Sequence, residues 1–185
     1  MNKELQEWIN LPENSKRNTF SAINKKINLP SDAIEKDWWV VQTLRLVFEL
    51  ECADSLIFKG GTSLSKAWGL IERFSEDIDL ALDRKFLGFG GELSNQQIKK
   101  LRKASFAYIT DEFYPALKKK FEDNGLIGVE IKIAEVNDTD QDPRIIEIYY
   151  PTVITPSDYL RPKVIIDWAV GRCECLFQCV HLGLW

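Results

Sequence analysis

The sequence predicts an α+β domain: a mixed β-sheet flanked by helices. Two observations carry that expectation. Segments of helical period fill much of the first two thirds of the chain and enclose two short strand-like runs, LIFK and DIDLAL, while β-rich runs gather after residue 125. With 185 residues, the chain is long enough for one domain with a real core, or for one domain plus a small appendage. Its 45% hydrophobic and 11% aromatic content reads as globular rather than disordered. A formal charge of -4 argues against wholesale wrapping of nucleic acid and leaves room for a local basic stripe.

The elements follow in order. Residues 3 to 28 read as one or two short, mostly polar helices. Next, Ser31 is placed to cap a helix over DAIEKDWWVVQTLRLVFELE, where Asp32 and Glu35 lie near its positive end. Ile34, Trp38, Val41, Leu44 or Arg45, and Phe48 recur along it at helical spacing, the mark of a core helix. SLIFKGG is a buried strand ended by a sharp turn. From Thr62 to about Glu72, Leu64, Ala67, Trp68 and Ile71 predict a helix with that buried face. EDIDLAL alternates with period two and predicts a strand with dissimilar faces. Ser94 and Gln97 form a capping box for a long helix from about Asn95 to Asp123, bent near Pro115 and stopped by Asn124 and Gly125. LIGVEIKIAEV and RIIEIYYPTVI, separated by the turn-forming NDTDQDP, and then RPKVIIDWAV are the late strands.

The opening MNKELQEWINLPENSKRN is polar and charged, so neither a signal peptide nor a membrane anchor is expected, and the protein is expected to be cytoplasmic. Cys52, Cys173, Cys175 and Cys179 do not form the spaced framework of a secreted mini-protein and read as reduced thiols.

The chemistry concentrates in FKGGTSLSKAWGLIERFSEDIDLAL, residues 58 to 82. Asp77 and Asp79, at i and i+2 on a strand, point to one side about 7 Å apart at the backbone. Close carboxylates repel, and a hard divalent cation such as Mg²⁺ relieves them while also binding substrate phosphate. At the other end, Gly60 and Gly61 let the backbone approach a polyanion at a strand-to-helix turn. Thr62 and Ser63 add hydroxyl donors, and Lys66 and Arg73 add positive charge. A P-loop does not explain the segment, because G-x-x-x-x-G-K-[ST] is absent. Nor does a kinase-type phosphotransferase, since the only histidine is His181 and no H-R-D occurs.

In this combination and order the segment resembles the nucleotidyltransferase superfamily that includes polymerase β. KGGTSLSK followed by RFSEDIDL resembles, within it, the AbiEii/AbiGii toxin family of abortive-infection and type IV toxin–antitoxin systems. EKDWWVVQTLRLVF, residues 35 to 48, is similar to that family's Glu-Lys-Asp-aromatic helix, and the resemblance covers about residues 30 to 172.

The resemblance implies a polymerase β-like fold and a metal-dependent enzyme, the toxin of a toxin–antitoxin pair. Its reaction would be transfer of a nucleoside monophosphate from a nucleoside triphosphate to an acceptor hydroxyl with release of pyrophosphate, using Mg²⁺ or Mn²⁺. Asp77, Asp79 and a third carboxylate would be the catalytic metal ligands. That third group is Asp167 in RPKVIIDWAVGR or, as a competitor, Glu147 in RIIEIYY. Gly60, Gly61, Thr62, Ser63 and Lys66 would position the phosphates, and Arg73 and Ser75 would orient the site. The implied partners are the triphosphate, an RNA acceptor such as a tRNA 3′ end, and a cognate antitoxin. KKLRK (99 to 103) and KKK (118 to 120) are the basic runs available to RNA, although such runs commonly form a solvated helix face.

The expected organisation is a helical segment over residues 1–30, a nucleotidyltransferase domain over 31–172 and an atypical tail over 173–185. Family members usually continue into a helical C-terminal domain where this chain has CECLFQCVHLGLW. The C-x-C-x3-C-x-H run of that tail matches no standard zinc module. The competing expectation is a truncated, catalytically silent nucleotide-binding or protein-interaction module.

Overall fold

In the computed structural model, which describes residues 3–71, 74, 77–134 and 144–171, the strands form one mixed sheet. Helices α1 (Lys3–Ile9), α2 (Glu13–Ile27) and α3 (Ser31–Val47) come first. Strand β1 (Leu56–Lys59) then runs directly into α4 (Gly60–Lys66), followed by β2 (Asp77–Asp83), α5 (Asn95–Tyr108), α6 (Tyr114–Asp123), β3 (Glu130–Ile133), β4 (Arg144–Tyr149) and β5 (Lys163–Gly171). The sheet order is β1-β2-β5-β4-β3. Only the central pair β2–β5 is parallel; β1–β2, β5–β4 and β4–β3 are antiparallel.

Period two divides the sheet into an apolar and a polar face. Leu56, Ile78, Leu80, Leu82, Ile131, Ile146, Ile148, Val164, Ile166 and Trp168 all point into the core. There they meet Val40, Leu44 and Val47 of α3, and Leu117 and Phe121 of α6. Trp168 is fully buried and lies with its ring 4.5 Å from that of Phe113. The central strands therefore have one face sealed and one free to carry polar chemistry.

The capping box of α5 forms as expected: Gln97 N–H donates to the Ser94 hydroxyl while the Gln97 side chain accepts from Ser94 N–H. The expected bend near Pro115 is a π-helical turn over Ile109–Phe113, joining α5 to α6 without a break. Pro115 lacks an N–H and crowds the carbonyl four residues back, and a wider turn just before it accommodates both defects. Gly125 ends α6 at φ 72°.

Two expectations need correction. Ser31 is not the cap of α3 but lies inside its first turn: Pro30 holds the cap position, and the Asp32 carboxylate accepts from Ala33 N–H and Ser157 N–H instead. The helix after the glycines stops at Lys66, and its expected buried face is outside in, with Leu64 42% and Trp68 41% exposed while Thr62 and Ser63 are buried. Gly69, at φ 59°, turns the chain away, and Leu70 N–H reaches back to the Leu64 carbonyl. A tight junction with β1 and β2 wins over the apolar stripe, because only small side chains fit against those strands.

The N-terminal helices join the domain through an aromatic ladder. Trp8 packs on Phe20 and on Trp38, Trp38 on Trp39, and Trp39 stacks on Tyr150 with ring centroids 5.1 Å apart. Beneath it, the Glu35 carboxylate accepts from Val153 N–H at 2.8 Å and Ile154 N–H at 3.1 Å, fixing the segment after β4 to α3. Burial pushes the Glu35 carboxyl upward while those two donors oppose the shift.

Glu35→Ala orphans two donors and should lower the unfolding free energy by about 2–4 kcal/mol in denaturant titration. Glu7→Ala, which breaks the exposed pair with Lys3, should cost at most about 0.5 kcal/mol in the same assay.

Candidate active site

β2 and β5 lie side by side, and their register sets Asp79 against Asp167. Because Ile78, Leu80, Ile166 and Trp168 are fully buried, alternation forces both aspartates, and Asp77 two residues upstream, onto the opposite face. Asp77 is exposed, whereas Asp79 and Asp167 are half-buried. Removal from water, and then the neighbouring Asp79 charge, pushes the Asp167 carboxyl above its usual range; the Lys59 charge opposes this.

The glycine turn is built around the same pair. Gly60 takes φ 71°, and a Cβ placed there would lie 1.8 Å from Asp79 Oδ2 and 2.7 Å from its Cγ. A side chain at this position would have to displace the carboxylate. The bare backbone at one end of the segment and the aspartate at the other therefore share one space. The hydroxyls that follow face inward: Thr62 is fully buried and donates to the Asp77 carbonyl, tying α4 to the start of β2, and Ser63 is also buried.

Lys66 is already engaged. Its ammonium lies 2.5 Å from Asp37 Oδ2, with both side chains largely covered, so the aspartate of the Glu-Lys-Asp run holds α4 to α3 while Glu35 of the same run holds the segment after β4. Glu147, the competitor for third carboxylate, is paired with Lys163 and accepts from the Tyr149 hydroxyl at 2.8 Å. These donors pull its carboxyl below the usual range. It stands opposite Ile165, while the β4 residue opposite Asp167 is Ile145. Register thus brings Asp167, rather than Glu147, beside the D-x-D.

Among the described residues, no three acidic, histidine or cysteine side chains converge closely enough to form a three-ligand cation site. The Asp79–Asp167 pair nevertheless fits a hard divalent cation: magnesium needs only one or two carboxylates when substrate phosphates complete its shell, and the two aspartates are register partners on one face of the sheet. Arg73, Ser75, the NDTDQDP turn, and Cys173, Cys175, Cys179 and His181 lie outside the described residues. Lys99, Lys100, Lys103, Lys118 and Lys119 are all exposed, and Lys120 pairs with Glu49 at 3.3 Å.

The sequence reading missed Lys59. It is exposed, and β1–β2 pairing sets it directly opposite Asp79 on the acidic face. The signal available was period two in LIFK, but its meaning depends on which strand lies alongside.

A carboxyl whose folded pKa exceeds its unfolded value loses stability as pH rises through that interval, because the native state must then hold the disfavoured charge. With chelator present, Asp167→Asn should therefore melt above the wild-type protein near neutral pH, the difference disappearing as pH falls below the ordinary carboxylate range. Thermal unfolding followed by circular dichroism across pH measures this.

Among the described residues no helix is long and apolar enough to cross a membrane. No curated protein and no solved structure matches the chain. The family described as Nucleotidyl transferase AbiEii toxin, Type IV TA system matches residues 45–182, a span that contains β1, the glycine turn, Asp77 and Asp79 of β2, and Asp167. The chain belongs to this AbiEii family of nucleotidyl transferase toxins.

Proposed function

We propose that this chain transfers a nucleoside monophosphate from a nucleoside triphosphate to an RNA hydroxyl, such as a tRNA 3′ end, in the cytoplasm, as the toxin partner of a cognate antitoxin. The observation that carries the reading is the register pairing of Asp79 with Asp167 beside a glycine that makes room for the Asp79 carboxylate. Asp79 and Asp167 would hold Mg²⁺ or Mn²⁺, and Asp77, exposed at the open end of β2, would add a third carboxylate on rotation of its side chain. Bound there, the ion would offset charge on the triphosphate and on the leaving pyrophosphate.

The chain's own residues do the remaining work. Gly60 and Gly61 keep the main chain bare where the phosphates approach. Thr62 and Ser63 support this turn from beneath, and the Lys66–Asp37 pair fixes α4 against α3. Arg73 and Ser75, just before β2, orient the substrate. The acceptor oxygen attacks the α-phosphorus as the bond from that phosphorus to the bridging β-phosphate oxygen breaks. Pyrophosphate leaves with that electron pair, and the acceptor proton passes to solvent. The exposed lysines of α5 and α6 give an RNA backbone a route along the surface.

Labelled nucleoside triphosphates, Mg²⁺ and total tRNA should yield labelled RNA with the wild-type protein. Asp77→Ala, Asp79→Ala and Asp167→Ala should each reduce incorporation to background, whereas Glu147→Gln should retain it. Absence of wild-type incorporation with all four nucleotides would count against the reading. Gly60→Ala should also abolish incorporation, because its methyl group takes the place of the Asp79 carboxylate, and the L-residue at positive φ should cost about 1–2 kcal/mol of stability as well.

A further inference from the structure

Two lysines flank the glycine turn, and their situations differ. Lys66 is tied to Asp37 and largely covered. Lys59 is exposed, its ammonium makes no direct hydrogen bond or ion pair among the described residues, and it sits across from Asp79 at the last register position of β1. Its neighbours in the sheet are acidic: Asp79 on β2 and, one strand further, Asp167 on β5.

An ammonium group against two carboxylates has an obvious resting role as their counter-charge. That role lapses once the carboxylates are neutralised by a cation, which leaves Lys59 beside the site with its charge unspent. A metal-bound triphosphate is still anionic along its β- and γ-phosphates. Lysine suits such a ligand because it is a compact point charge with three donors on a flexible stem.

We infer that Lys59, rather than Lys66, is the positively charged side chain that contacts the β- and γ-phosphates of the nucleotide and hence the departing pyrophosphate. This deepens the nucleotidyl-transfer reading of the same site and rests on it. Lys59 is a substrate-binding residue in this assignment. Lys66 is a positioning residue that acts through Asp37 and α4.

The test is equilibrium binding to the full chain, with Mg²⁺, of three probes: the α,β-methylene analogues of the four nucleoside triphosphates, inorganic pyrophosphate, and the corresponding nucleoside monophosphates. Lys59→Ala should weaken the triphosphate analogue and pyrophosphate about tenfold or more, as expected for loss of a charge-assisted contact, and change monophosphate binding less than about twofold. Lys59→Arg should restore most of the loss, and with saturating Mg²⁺ the melting temperatures of both variants should match that of wild type. Unchanged pyrophosphate binding in Lys59→Ala overturns the assignment, as does an equal loss for monophosphate and triphosphate. Tighter Mg²⁺ binding in Lys59→Ala without any effect on nucleotide also overturns it, leaving Lys59 a counter-ion only. Wild-type protein that binds triphosphate in a Lys59-dependent way yet labels no RNA supports this assignment while refuting transfer to RNA. Wild-type protein that binds none of the probes refutes both.

Discussion

The parallel pairing of β2 with β5 is the constraint on which the rest of the molecule depends. One register setting places Asp79 beside Asp167, and a slip of a single residue would send either aspartate into the core and an isoleucine or tryptophan into water. Ile78, Leu80, Ile166 and Trp168, all fully buried, therefore specify the acidic pair as firmly as the aspartates themselves do. The core keeps together two charges that repel, and an opposite charge at that point would strengthen the fold.

Around this pair the remaining elements serve as supports. β1 ends opposite Asp79 and must turn at once into α4, and the carboxylate leaves no room for a Cβ at the turn. α4 is short, so its position is set from outside: by Thr62 to the Asp77 carbonyl beneath and by Lys66 to Asp37 at its far end. Helix α3 is the common anchor, with Glu35, Asp37 and the apolar residues that follow them (Val40, Leu44 and Val47) facing three different parts of the chain. This explains why a helix remote in sequence from the aspartates carries charged residues in a largely buried stretch. The partners of Glu35 and Asp37 are backbone and side-chain groups of the segments that shape the site.

Much of this was legible in the residues. Period two in DIDLAL marks a strand with dissimilar faces; the Ser94–Gln97 box and Gly125 mark the ends of the long helical stretch; and the Gly60–Gly61 pair marks a place where the backbone stays bare. What stayed hidden depends on contacts between distant segments. The reason for Gly60 is the Asp79 carboxylate across the sheet. The sequence offers Lys66 as a positive charge without showing that Asp37 faces it, and Lys59 acquires a meaning only from the pairing of β1 with β2. The apolar stripe from Leu64 to Ile71 misled because a helix lodged at a strand junction buries its smallest residues. Asp167 and Glu147 could not be separated by pattern, since both lie on alternating strands; strand order and the Lys163 pairing separate them.

The central claim is that Asp79, Asp167 and the Gly60 turn enclose one divalent-cation position, and iron-directed backbone cleavage tests it most directly. Fe²⁺ exchanged into the Mg²⁺ position, with ascorbate and peroxide, cuts the chain where the ion sits. Cuts should fall at the Gly60 turn, at the start of β2 and around Asp167, and excess Mg²⁺ should suppress all three together. Cleavage concentrated elsewhere, or cuts at only one of these segments that Mg²⁺ does not suppress, would contradict it.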